Sequence, residues 1–239
     1  SAIIEKDFWV CWTLKRVFTL PDPPAELLFK GGTSLSKVFG VIERFPEDVD
    51  LSFDRAGLGF GGVSDPLNAT TGKRRKHGLE ALNETCQRVT SYAAADFPDV
   101  FKKAECRVHV LAAERTFWEK ATVLHMWHHA PEDKKFRDRQ SRHYYDVVRL
   151  YQHELGRAAV KDIELLLSVA RHKEVFFPAA WARYADARPG TLRLVPPDAR
   201  LPELEQDYRK MREMIFGEPP AFEHLIEMLR EIEHRVNRG

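Results

Sequence analysis

A short apolar run, Leu27-Leu28-Phe29, passes directly into Gly31-Gly32-Thr33-Ser34, after which Leu35, Val38 and Phe39 recur at helical spacing. A strand that turns through two glycines into a helix leaves backbone N–H groups free at the positive end of the helix. No side chain blocks approach there, so phosphate oxygens are natural ligands. Two glycines before Thr-Ser also describe an ordinary turn with a helix cap, and the segment is neither a Walker loop nor GxGxxG. The next element shifts the balance between these readings, although two acids at strand spacing also describe a solvated face. Asp48, Asp50, Ser52 and Asp54 alternate with Val49, Leu51 and Phe53, the period of a strand with one polar and one buried face. Asp48 and Asp50 therefore project together. Their mutual repulsion favours a divalent cation, and Mg2+ (or Mn2+) suits an oxygen-only, partly hydrated site.

Around this core the chain reads as strands early and helices late. Ile4 to Phe18 has the spacing of an amphipathic helix ended by Pro21-Asp22-Pro23-Pro24, and Cys106, Val108 and Val110 alternate as a strand. Residues 55–68 form a glycine-rich excursion, and Lys73-Arg74-Arg75-Lys76 precede a helix expected through Leu79, Leu82 and Cys86. Helices follow from Glu114 to His129, from Ser141 to Leu150, and around Leu204 to Phe216 and Phe222 to Val236. The order implies an α+β fold: residues 1–112 a catalytic core with a mixed sheet, residues 113–239 a mainly helical half. Cys11, Cys86 and Cys106 are odd in number, widely spaced and outside any CxxC pattern, which supports neither a disulfide framework nor a structural zinc site. With 37 basic against 36 acidic residues, any surface for nucleic acid must be local. The opening residues lack a signal-peptide apolar region, and no run approaches the roughly 20 apolar residues of a membrane span, so a cytoplasmic protein is expected.

The segment FKGGTSLSKVFGVIERFPEDVDLSFD resembles the first motif of the AbiEii/AbiGii-type nucleotidyltransferases, a toxin family that includes the MenT toxins and belongs to the polymerase-beta-like superfamily. AERTFWEKATVLH, SRHYYDVVRL and DYRKMREMIFGEPPAFEHLIEMLREIE extend the resemblance nearly to the end. It implies a nucleotidyltransferase-fold catalytic domain in which Asp48 and Asp50 hold the metal and Gly32, Thr33, Ser34 and Lys37 hold the nucleotide phosphates. Lys120 and Asp146, from the helical half, would complete the active site. Lys120 would neutralise charge developing on the triphosphate, and Asp146 would orient Lys120, bind a cation or contact the nucleotide. The implied partners are an NTP, an RNA acceptor such as the tRNA 3′ end, and a cognate antitoxin. Related chains place an acidic EFGAR-like strand before ERTFWEK. None is found here near Thr90-Ser91, whether by deletion or by omission from the sequence, which leaves a third metal carboxylate unassigned unless Glu105 replaces it.

Other residues admit two readings. Arg44 suits either a phosphate or a pairing with Glu47. Taken alone, Lys120 is a solvated helix lysine and Asp146 a surface or capping acid. His125, His128 and His129 fit a packed helix better than a metal site, and Phe117, Trp118, Tyr144 and Tyr145 fit core packing better than base stacking. The basic clusters at 73–76 and at Lys134, Lys135, Arg137, Arg139 and Arg142 would track a polynucleotide backbone or simply be solvated.

Overall fold

The computed structural model describes residues 2–21, 26–45, 48–53, 85–89 and 106–238. These form two compact units, one of residues 2–53 and 85–112, the other of residues 113–238. The architecture is α+β, as the order of strands and helices implied.

The first unit contains helix α1 (Ala2–Phe18), strand β1 (Leu27–Lys30), helix α2 (Gly31–Lys37), and strands β2 (Asp50–Phe53), β3 (Thr85–Val89) and β4 (Cys106–Val110). The strand order is β2-β1-β4-β3, antiparallel at both ends and parallel between β1 and β4. Its core packs Val10, Cys11 and Leu14 of α1 against Phe29, Cys106, Val108 and Val110, with Val49 and Leu51 closing over it. Both Cys11 and Cys106 are free thiols. One expectation is corrected here. Cys86 lies in a strand, not a helix, because residues 85–89 pair antiparallel with β4 from Thr85↔Val110 to Val89↔Cys106. Backbone pairing in the sheet outweighs a locally helical spacing. Leu79, Leu82, Glu105, residues 55–68 and the basic run 73–76 lie outside the described residues.

The second unit contains α3 (Ala113–His128), α4 (Ser141–Gln152), α5 (Glu154–Lys161), α6 (Ile163–Phe176), α7 (Leu201–Met211) and α8 (Phe222–Arg238). Phe117, Trp118, Ala121 and Leu124 of α3 are fully buried, as are Tyr144, Val147, Val148 and Leu150 of α4. The four aromatics Phe117, Trp118, Tyr144 and Tyr145 therefore build the core and offer no stacking platform. Trp118 Nε1 donates to the Ala159 carbonyl at 3.0 Å, which satisfies its one polar atom while α3 packs on α5. No described helix is long and apolar enough to cross a membrane.

Candidate active site

In the first unit, β1 ends at Lys30, directly opposite Asp50 in the register with β2. Gly31 then turns the chain with φ +79, a conformation that favours glycine. A Cβ at Gly31 would fall 2.0 Å from Asp50 Oδ2. The Asp50 carboxylate therefore lies against the backbone of the turn, and only the missing side chain allows it. The next residue repeats the device with the opposite charge. A Cβ at Gly32 would fall 2.4 Å from Arg44 Nη2, and Arg44 is buried, its Nη1 donating to the Phe45 carbonyl at 3.3 Å. The glycine pair is thus required by a carboxylate and a guanidinium in turn.

The neighbouring hydroxyls brace this arrangement. Thr33 Oγ1 donates to the Asp48 carbonyl, tying α2 to the chain entering β2, and Ser34 Oγ donates to the Gly31 carbonyl at 2.9 Å. Both residues are buried. Any phosphate contact at Thr33 and Ser34 would therefore come from backbone N–H groups rather than hydroxyls already engaged with carbonyls. Asp48 and Asp50 are exposed, while Val49 between them is half-buried over the core. The alternation read from the sequence is present over residues 48–51, with Asp48 preceding the strand proper, and Asp54 lies outside the described residues. Lys37 is placed differently from the phosphate ligand expected of it. Its side chain is buried and its ammonium pairs with buried Asp7 of α1.

In the second unit, Lys120 of α3 and Asp146 of α4 form a buried ion pair, Nζ to Oδ2 at 2.8 Å. Two charges removed from water are tolerated in such close pairing, and each loses its compensation if the other is removed. The start of α4 is pinned by Asp207 of α7, whose carboxylate oxygens accept the Arg139 and Ser141 N–H groups, each at 2.7 Å. Arg139 takes φ +63 at this point. Asp207 was not singled out from the sequence, because its partners are backbone groups remote along the chain.

A family model describing the nucleotidyl transferase AbiEii toxin of type IV toxin–antitoxin systems matches residues 12–105 and 88–228. The chain belongs to the AbiEii family. Neither a curated protein nor a solved structure matches it. As an AbiEii family member it is a nucleotidyltransferase, and the glycine turn with its adjoining carboxylate is the candidate site for that chemistry. Replacing Gly31 by alanine is expected to push Asp50 off the turn. A displacement of about 1 Å at a reacting centre costs on the order of a hundredfold, so kcat/KM for transfer should fall by about that much in a folded Gly31→Ala protein. An unchanged kcat/KM would show that the contact is dispensable.

The histidines of α3 are absorbed by structure. His125 Nδ1 accepts the Arg193 N–H at 3.1 Å, and its Nε2–H donates to the Arg183 carbonyl at 3.0 Å, so neither nitrogen is open to a metal. Burial lowers the His125 pKa, and burial followed by the nearby His125 charge pushes His129 down to about 4. The unfolded chain takes up protons near an imidazole's ordinary value of about 6.5, while the folded chain resists them. Stability is therefore fully present above that value and is lost as the pH falls towards 4. Thermal midpoints measured at about pH 7.5 and about pH 5 should drop on acidification, and His129→Gln should reduce the drop. Equal drops in both proteins would refute the assignment.

Proposed function

We propose that this AbiEii family protein transfers a nucleotide from an NTP, bound with Mg2+ (or Mn2+), to an RNA acceptor, the 3′ end of tRNA. In this reading it acts in the cytoplasm as a toxin whose effect a cognate antitoxin counters. The observation that carries the reading is the Asp50 carboxylate lying against the Gly31 backbone. Phosphate-accepting N–H groups and a cation-holding acid are then side by side. The donor chemistry suits such a cation: Asp48 and Asp50 are exposed acids two residues apart, and the Asp50 carboxylate lies against the Gly31 backbone. When bound, the cation would neutralise triphosphate charge and orient the phosphates for in-line attack. We assign to Arg44 a fixed positive charge beside Gly32, to Lys120 neutralisation of charge developing during transfer, and to Asp146 the holding of the Lys120 ammonium. Lys135, Arg137 and Arg139, exposed on the loop before α4, supply the kind of charge that meets an RNA backbone.

The test incubates the protein with each labelled NTP, Mg2+ or Mn2+, and total RNA. Label at the 3′ end of tRNA is expected. Label in protein or metabolite fractions would replace the RNA acceptor with another class, and no incorporation from any NTP with either metal would overturn the reading.

A further inference from the structure

Asp7 stands on the buried stripe of α1, one turn before Cys11 and two before Leu14, among residues that face Phe29, Val108 and Val110. A carboxylate there is out of place unless a cation joins it. Lys37, the last residue of α2, is that cation, and both side chains are almost wholly withdrawn from solvent. The surroundings of Cys11 agree. Burial pushes its thiol up to about 12, opposed by the charge of Lys37 and reinforced by that of Asp7, so both charges lie close to it.

The position of Lys37 gives the pair a consequence beyond stability. A seven-residue helix rises about 10 Å from end to end. One end of α2 is the glycine turn that receives Asp50 and Arg44, and the other is the residue held by Asp7. A buried ion pair ties the end of α2 to α1, because separating the two charges leaves each buried without compensation. We propose that Asp7 is a positioning residue for NTP binding, acting through Lys37 to fix α2 and with it the glycine turn. The proposal rests on the reading of that turn as the triphosphate cradle. It also gives Lys37 a role that needs no contact with phosphate.

The test is a double-mutant cycle on the full chain, with Asp7→Asn, Lys37→Met and Asp7→Leu/Lys37→Met. Thermal midpoint and dissociation constant for labelled NTP are measured for each, with Asp7→Glu as the conservative variant. Each single substitution should weaken NTP binding at least about tenfold, the scale set by small displacements at a reacting site. The double variant should bind no worse than either single one, since both interrupt the same tether. It should recover its thermal midpoint, because apolar replacement of a buried pair is well tolerated, but not its affinity. Asp7→Glu should restore part of the affinity. Wild-type binding by Asp7→Asn, additive losses in the double variant, or recovery of affinity together with stability would each overturn the proposal. Failure of all the variants to fold would overturn it too, by making the pair a folding determinant only. If the unaltered protein fails to bind any NTP, the cradle reading falls instead, and the two failures are told apart.

Discussion

Asp50→Ala is expected to lower nucleotide transfer by at least about a thousandfold, roughly 4 kcal/mol of transition-state stabilisation, while leaving the protein folded. The two halves of this expectation have separate origins. Asp50 is exposed and stands opposite Lys30 in the register of two strands, so its carboxylate carries no core contact that folding needs. The backbone pairing of β1 with β2 survives the loss of a side chain. The same carboxylate lies against Gly31, the turn proposed to receive the triphosphate, where it would hold the cation that balances the phosphate charge. Asp50→Asn sharpens the test because it keeps the shape and removes the charge. Transfer assayed with saturating metal, beside the thermal midpoint, should show activity gone and the midpoint within a few degrees of the parent. Transfer surviving in Asp50→Ala would remove the acid from the chemistry.

The reverse pattern is expected at Asp146. Asp146→Ala leaves the Lys120 ammonium buried beside a void, and breaking one side of a buried pair costs about 3–5 kcal/mol. In a chain of this size that lowers the thermal midpoint by on the order of 10 °C. Asp146→Leu/Lys120→Met should regain most of the lost stability, since a well-packed apolar pair avoids the desolvation of two charges. If Lys120 also serves transfer, the recovered protein will remain inactive. Recovery of stability and activity together would reduce the pair to a structural tie, and full stability in Asp146→Ala would contradict the burial on which the expectation stands.

Local signals made much of this fold readable. The strand, glycine turn, helix and alternating acids occupy consecutive stretches whose spacing is decided by backbone geometry, and they appear as read. The helices at Ala113–His128 and Ser141–Gln152 likewise follow from their apolar periodicity. Long-range partners were not readable. Cys86 joined a strand because β4 lies beside it. The family resemblance implied a phosphate contact for Lys37, and the structure pairs its charge with an acid on another helix. Asp7 carried a signal nonetheless, as an acid in register with Cys11 and Leu14 on the apolar face of α1. Helices α5 and α6 went unread because residues 153–162 have neither the proline nor the paired glycines that punctuate other joints. Their boundary is made by Asp162, whose side chain accepts the Leu165 N–H at 2.9 Å. Arg44 is buried with its guanidinium over Gly32, and Glu47, the other partner considered for it, lies outside the described residues.

The Thr33 hydroxyl bound to the Asp48 carbonyl joins two points of one uninterrupted stretch from β1 to β2. The contacts from the Lys30–Asp50 register to Arg44 over Gly32 close within that same stretch. Such a segment assembles from near neighbours at little loop-closing cost. Apart from the tie of Lys37 to Asp7 on α1, its form therefore depends chiefly on residues close in sequence.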